Sequence, residues 1–284
     1  MKRLVRIIAA LILAAPSLAA AHEFWLRPSP FAIVPGGSAT LAMYVGEHFN
    51  GEQVAFSPGH AASIHVHAGG LQTDLRRQLR LRAEQPVLQL AFPRTGTHVI
   101  AFDSAPSLLT LSADKFHAYL HEEGLDAIIR QREQDGSAAT PGRERYRRNA
   151  KTLVQVGRPD ANYAARTGQK LEILPLADPL KAVPGDSLGF RLLFDDKPLA
   201  NALVKAWHRR DGQTLTIRAR SDAQGRVRLT LPYAGAWMVS TVHMVPVSDV
   251  SEADWDSYWG NLTFAIGAKE GVKEGVKERE VLQE

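Results

Sequence analysis

Ten histidines and no cysteine bound the metal chemistry open to this 284-residue chain. Any metal site must use nitrogen, oxygen or thioether donors, never thiolate. His22 is the most informative candidate, because it follows Ala19-Ala20-Ala21, the small residues a signal peptidase requires. Cleavage after Ala21 makes His22 the terminal residue, whose amine and imidazole chelate one ion together, donors that copper and nickel favour. His65 and His67 stand two apart in Ser63-Ile-His-Val-His-Ala68. Strand alternation places both rings opposite Ile64 and Val66, within reach of one ion. His117 and His121 are four apart on an expected helix, the spacing at which two imidazoles grip one metal. Solvated surface residues are the plainer reading of both pairs. His243 adjoins Met244, and imidazole beside thioether suits copper(I) or nickel. His208 reads as superficial, before the Arg209-Arg-Asp-Gly212 turn. Asp249, Glu252, Asp254 and Asp256 share a loop with Trp255, Tyr258 and Trp259, but EF-hand spacing is missing. Those rings anchor the loop to the fold or, if exposed, stack on a sugar or a partner. With no G-x-S-x-G, no cysteine and no phosphate loop, the sequence predicts no enzyme.

The elements that position these residues follow from a leader and a duplication. Lys2, Arg3 and Arg6 precede an apolar run from Leu4 to Leu18, so residues 1–21 read as a signal peptide and the mature protein as periplasmic. Beyond it no segment is long and apolar enough to span a bilayer. Losing the leader takes 34 cations to 31 against 30 anions, a net charge of +1, which argues against nucleic acid as a partner. Leu90-Ala-Phe-Pro-Arg-Thr-Gly-Thr-His-Val-Ile100 aligns with Leu229-Thr-Leu-Pro-Tyr-Ala-Gly-Ala-Trp-Met-Val239. Upstream of each, Val34-Pro-Gly-Gly-Ser38 and Val183-Pro-Gly-Asp-Ser187 open a strand of period two. The alignment sets His98 opposite Trp237 and gives it a core role. The chain is therefore expected to be mainly β. Two immunoglobulin-like or transthyretin-like β-sandwich domains, 22–110 and 168–267, flank a helical insert and connector, 111–167. Within the insert Phe116, Tyr119 and Leu120 form one helix face, Leu125, Ile128 and Ile129 begin a second, and 143–156 is expected to be a helix leading into a strand. Ser221-Asp-Ala-Gln-Gly225 reads as a hairpin loop. Residues 268–284, with Gly-Val-Lys-Glu twice, read as a charged flexible tail.

Four motifs carry a family resemblance. Ala21-His-Glu-Phe-Trp-Leu26, Asp114-Lys-Phe-His-Ala-Tyr-Leu-His-Glu-Glu-Gly-Leu125, Pro141-Gly-Arg-Glu-Arg-Tyr146, and Thr241-Val-His-Met244 with Asp254-Trp255 and Tyr258-Trp259 resemble an exported bacterial domain-of-unknown-function family. That family was formerly labelled a nickel-uptake substrate-specific region. The resemblance spans nearly the whole mature chain. It implies periplasmic handling of nickel or cobalt, with a membrane metal-uptake complex or an outer-membrane receptor as partner. His22 and His243 fall on positions of the family pattern, whereas His117 and His121 stand where it has Asn and Arg, and His65 and His67 match no motif of it. The expected function is binding of divalent nickel or cobalt, or copper, with His22 as primary donor and His243 as a second. The rival is a non-enzymatic adhesion-like or scaffold module that binds protein or glycan through Trp255, Tyr258 and Trp259.

Overall fold

The computed structural model describes residues 22–81, 87–248 and 252–267. The expected leader, the tail and Asp249 lie outside them. In the first half, apolar alternation builds β1 (Glu23–Ser29), β2 (Ala32–Ile33), β3 (Ser38–Glu47), β4 (Asn50–Val54), β5 (Ala61–Ala68) and β6 (Leu71–Asp74). A short helix α1 (Arg76–Leu81), then β7 (Val87–Ala91), β8 (Gly96–Ser104) and β9 (Ser107–Leu111) follow. Helices α2 (Ala113–Glu122) and α3 (Asp126–Gln134) lead into β10 (Gly142–Val156). The second half supplies β11 (Leu171–Pro175), β12 (Ser187–Phe194), β13 (Lys197–Pro198), β14 (Leu203–Arg210), β15 (Gln213–Arg220), β16 (Arg226–Thr230), β17 (Gly235–Pro246) and β18 (Trp255–Ile266).

Both halves follow one plan. An outer sheet of β1, β3, β4 and β7 has its counterpart in β11, β12, β13 and β16. The remaining strands form a single ten-stranded central sheet, ordered β15-β14-β17-β18-β10-β8-β5-β6, with β2 and β9 also on β10. This order is palindromic about β10 and β18, which run parallel from Glu144 opposite Trp255 to Thr152 opposite Thr263. The two Val-Pro-Gly motifs open β3 and β12, and the two aligned Pro-x-x-Gly turns each cross from outer to central sheet. His98 and Trp237 occupy matching places in β8 and β17, both buried, His98 edge-on to Phe92 at 5.0 Å. The outer sheets cover opposite faces of the central one. Ala150 and Val154 of β10 pack with the first outer sheet, whereas Leu153 packs with the second. The mainly β sandwich character is thus present, and the two sandwiches share one sheet.

Three local expectations are corrected. Residues 143–156 are not helical, because β10 carries its charges to partners on the neighbouring strand. Arg145 and Arg147 both donate to Asp256 of β18, at 2.7 and 2.8 Å. The 221–225 turn is not a hairpin, since β15 lies in the central sheet and β16 in the outer one. Gly225 makes that crossing at φ +71°, where a Cβ would stand 2.5 Å from the Leu192 carbonyl. Trp255, Tyr258 and Trp259 are not on a loop but in β18, with 4%, 9% and 7% of their surface exposed. They cannot act as an open stacking platform. Trp255 and Trp259 instead receive Phe116, Tyr119 and Leu120 of α2, and Tyr119 stacks on Trp259 at 5.7 Å. Among the described residues no helix is long and apolar enough to cross a membrane.

Candidate functional site

His22 stands at the start of β1, an edge strand of the first outer sheet. Two side chains of β18 fix that strand: Asn261 Nδ2 donates to the Phe24 carbonyl, and Thr263 Oγ1 donates to that of Leu26 at 2.6 Å. The imidazole itself is about half exposed (45%), and its Nε2 lies 3.9 Å from Glu47 Oε1 at the end of β3. Between β3 and β4 the chain reverses through His48 and Phe49, at φ 53° and 56°. A left-handed conformation at two successive side-chain-bearing residues is costly and marks a place where the surroundings impose it. Here each ring is docked, Phe49 on Trp25 at 5.2 Å and His48 near Trp207 at 5.6 Å. Thr214 Oγ1 of the second half donates to the His48 carbonyl at 2.7 Å. The matching β12–β13 turn uses Asp195 and Asp196, which adopt this conformation readily.

Two adjoining clefts open at this turn. His22, Glu47, His48 and Glu52 line one of about 920 Å³. The other, of about 600 Å³, is lined by Trp25, Tyr44, Arg27 and Arg210, and both include Asn50, Gly51 and Arg209. Gly51 is required here, because a Cβ would come within 2.7 Å of the Trp25 ring and 2.4 Å of the Val45 carbonyl.

Beneath His22 lies buried charge. Trp207 Nε1 donates to Ser240 Oγ at 2.8 Å, and Ser240 Oγ donates to Glu23 Oε1 at 3.2 Å. Lys205 Nζ donates to Glu123 Oε1 at 2.7 Å in the same interior. Burial pushes the Glu23 carboxyl up to about 7, aided by the charge of Glu123 and opposed by Lys205. Burial also raises Glu123, against the pull of Lys205. A third buried carboxyl, Glu144, accepts from Tyr119 at 3.2 Å and from Ser257, and burial raises it too.

The other predicted histidines are dispersed. His243 and Met244 are successive residues of β17 and point to opposite faces. His243 meets Phe194 edge-on at 4.3 Å on the second outer sheet, while Met244 joins the α2 cluster. They cannot share an ion as neighbours. Ser240, which reaches Glu23, is on the Met244 side, so the central sheet separates His243 from His22. Burial pushes the His243 imidazole down to about 4. His65 and His67 do share a face, ring centroids 6.2 Å apart, with His67 Nε2 buried and unpartnered. Burial, then the charges of His65 and Lys151, lower His67. His117 and His121 both lie on the exposed side of α2. His208, expected at the surface, is 4% exposed and stacks on Trp237 at 4.7 Å. Asp254 pairs with Arg143, and Asp256 with two arginines, which engages two of the four acids of that segment. Among the described residues no three His, Asp or Glu side chains form a ready-made metal cage. Sequence reasoning passed over Glu47 as a neighbour of His22 and left His48 unassigned. No local signal marked the turn, because its two left-handed positions hold His48 and Phe49, and Asn50-Gly51 already belong to β4.

Residues 19–245 match the family described as Domain of unknown function (DUF4198). The chain belongs to this family. No curated protein matches it. Among solved structures, a mutant alpha-2-macroglobulin of Salmonella is 14% identical with a TM-score of 0.22, covering 86% of this chain and 16% of that one. The methylamine-reacted Salmonella protein is 10% identical, TM-score 0.20, over the same shares. Trypsin-activated alpha-2-macroglobulin from Escherichia coli is 8% identical, TM-score 0.18, over 86% and 18%. This chain thus spans less than a fifth of their length, and likenesses this weak say nothing about its function.

Proposed function

We propose that this is an exported, periplasmic, non-enzymatic binding protein whose cargo is a divalent transition metal, nickel or cobalt first and copper next, passed on to a membrane uptake system. One observation carries the reading: His22, Glu47 and His48 line one open cleft at a turn held in a costly conformation. Signal cleavage after Ala21 would add the α-amine of His22 to its imidazole. Glu47, 3.9 Å from that ring, would supply a carboxylate oxygen, giving three donors of two types that borderline metals accept. The partly exposed geometry suits capture and release better than permanent retention. His65 and His67 form a separate, weaker pair, and His117 with His121 another.

Calorimetric titration of the periplasmically processed protein with nickel and copper tests this reading. Binding tighter than about 0.1 mM, roughly −5.5 kcal/mol, is expected, and a tenfold or greater weakening in both His22→Ala and a form whose terminal α-amine is acetylated. Equal affinity in all three proteins would place the metal elsewhere and end this reading.

A further inference from the structure

We infer that residues 268–284 fold back along the groove formed by the two adjoining clefts and cover it from within the same chain. The inference goes beyond the metal reading and does not depend on it. The point at which the chain leaves the sheet carries it. Ile266 of β18 is paired with Gly235 of β17, and Gly267 then turns at φ +63°. A Cβ on Gly267 would stand 3.6 Å from the Ala234 side chain. Ala234 and Gly235 are themselves wall residues of the cleft of about 600 Å³. The chain therefore departs beside the groove. The 17 residues from Ala268 to Glu284 reach up to about 56 Å when extended, enough to follow the groove into the second cleft.

Charge sets the register. Arg27 has an interaction of its own, Glu47 faces His22 at 3.9 Å, and Arg210 contacts both Asp211 and the Tyr233 ring. Arg209 and Glu52 are exposed and, among the described residues, have no ion-pair partner and do not pair with each other. One free cation and one free anion suit an occupant that carries both signs. Arg209 belongs to both clefts and Glu52 only to the second, so a segment entering from Gly267 meets Arg209 first. Glu270 comes three residues after Gly267, and Lys273 three after that, about 10 Å for each step. The order of signs along the segment thus matches the order along the groove. Exposed ion pairs are individually weak. The tether offsets this, because it holds the segment at an effective concentration on the order of millimolar.

The chain has no cysteine, so a spin label on Gly271→Cys reports on this segment alone. Its motion is expected to be restricted, to become free in Arg209→Glu, and to be restricted again in the charge swap Arg209→Glu/Glu270→Arg. Recovery in the swap shows that the single variant still folds. Removing residues 268–284 should also speed amide exchange across Asn50–Val54 of β4 by roughly tenfold or more. A freely moving label in the native sequence, or a restriction that Arg209→Glu leaves in place, overturns the inference. So does unchanged exchange in the shortened chain. A restriction that fades on dilution overturns it too, by placing the segment in a second copy. All of these readouts are taken on metal-free protein, so their failure leaves the metal reading standing, and the loss of nickel binding leaves this inference standing.

Discussion

Glu23, next to the candidate ligand, holds its proton close to neutrality, and that sets a pH dependence of stability. Its folded value of about 7 lies above the usual 4.5, so the folded state binds a proton that the unfolded chain has already lost between those two values. The stabilisation from this group is full below about pH 4.5, falls as pH rises, and is gone above about 7. The slope reaches at most about 1.4 kcal/mol per pH unit. Glu23→Gln should therefore narrow the stability difference between pH 5 and pH 8, measured by urea unfolding of metal-free protein. An unchanged difference would refute the assignment. His243 has the opposite sign. Its imidazole is depressed to about 4 by burial, so its contribution is full above about pH 6.5 and lost as pH falls through 4. His243→Phe should flatten the acid limb in the same assay. Neither shift was legible in the sequence, because each comes from burial among residues far along the chain. Ser240 stands over Glu23, and Phe194 over His243.

At the scale of elements, α2 is docked by its Phe116, Tyr119 and Leu120 face, as its periodicity predicts. What that face meets is a glycine. A Cβ on Gly142 would stand 2.3 Å from atoms of the buried Phe116 ring. Gly142→Ala should push the helix off the sheet at a cost of about 1–3 kcal/mol. The same change should reduce the near-ultraviolet dichroism arising from the stacked Tyr119 and Trp259. A variant as stable as the native protein would show that the helix packs less tightly than it does in the structure. The strand that begins at Gly142 escaped sequence reasoning for a physical reason. Residues 143–148 are charged at every position but Tyr146 instead of alternating apolar with polar, and only a neighbouring strand reveals that Arg143, Arg145 and Arg147 are paired. The hairpin expected at 221–225 failed similarly, since a Gly-ended turn fits a reversal within a sheet as well as a crossing between sheets.

Across the whole molecule, the parallel seam of β10 and β18 joins two sandwiches through one continuous sheet. The buried pair Lys151 and Glu172, 3.1 Å apart, ties β10 to the second outer sheet. Burial raises Glu172, but Lys151, the Thr167 N–H and Arg166 outweigh it and hold the carboxyl below its ordinary range. Lys151→Met, which leaves the buried carboxylate to Arg166 and Thr167 alone, should cost about 1–3 kcal/mol, and Lys151→Met/Glu172→Leu should recover much of that. Calorimetry of the native chain should show one transition, and two resolved transitions would mean that the seam does not couple the halves. The sequence by itself determined the β class, the duplicated turns, the helix faces and the candidate donor His22. Those depend on local alternation, on glycine and proline geometry, and on residue chemistry, all of which act over a few neighbouring residues. Only the tertiary structure decided that the sandwiches share a sheet and that His243 and His22 lie on opposite faces of it. It also brought Glu47, His48 and Arg209 into one cleft with His22. Those outcomes depend on which strand lies beside which, and strand pairing between residues more than a hundred positions apart leaves no local mark on the chain.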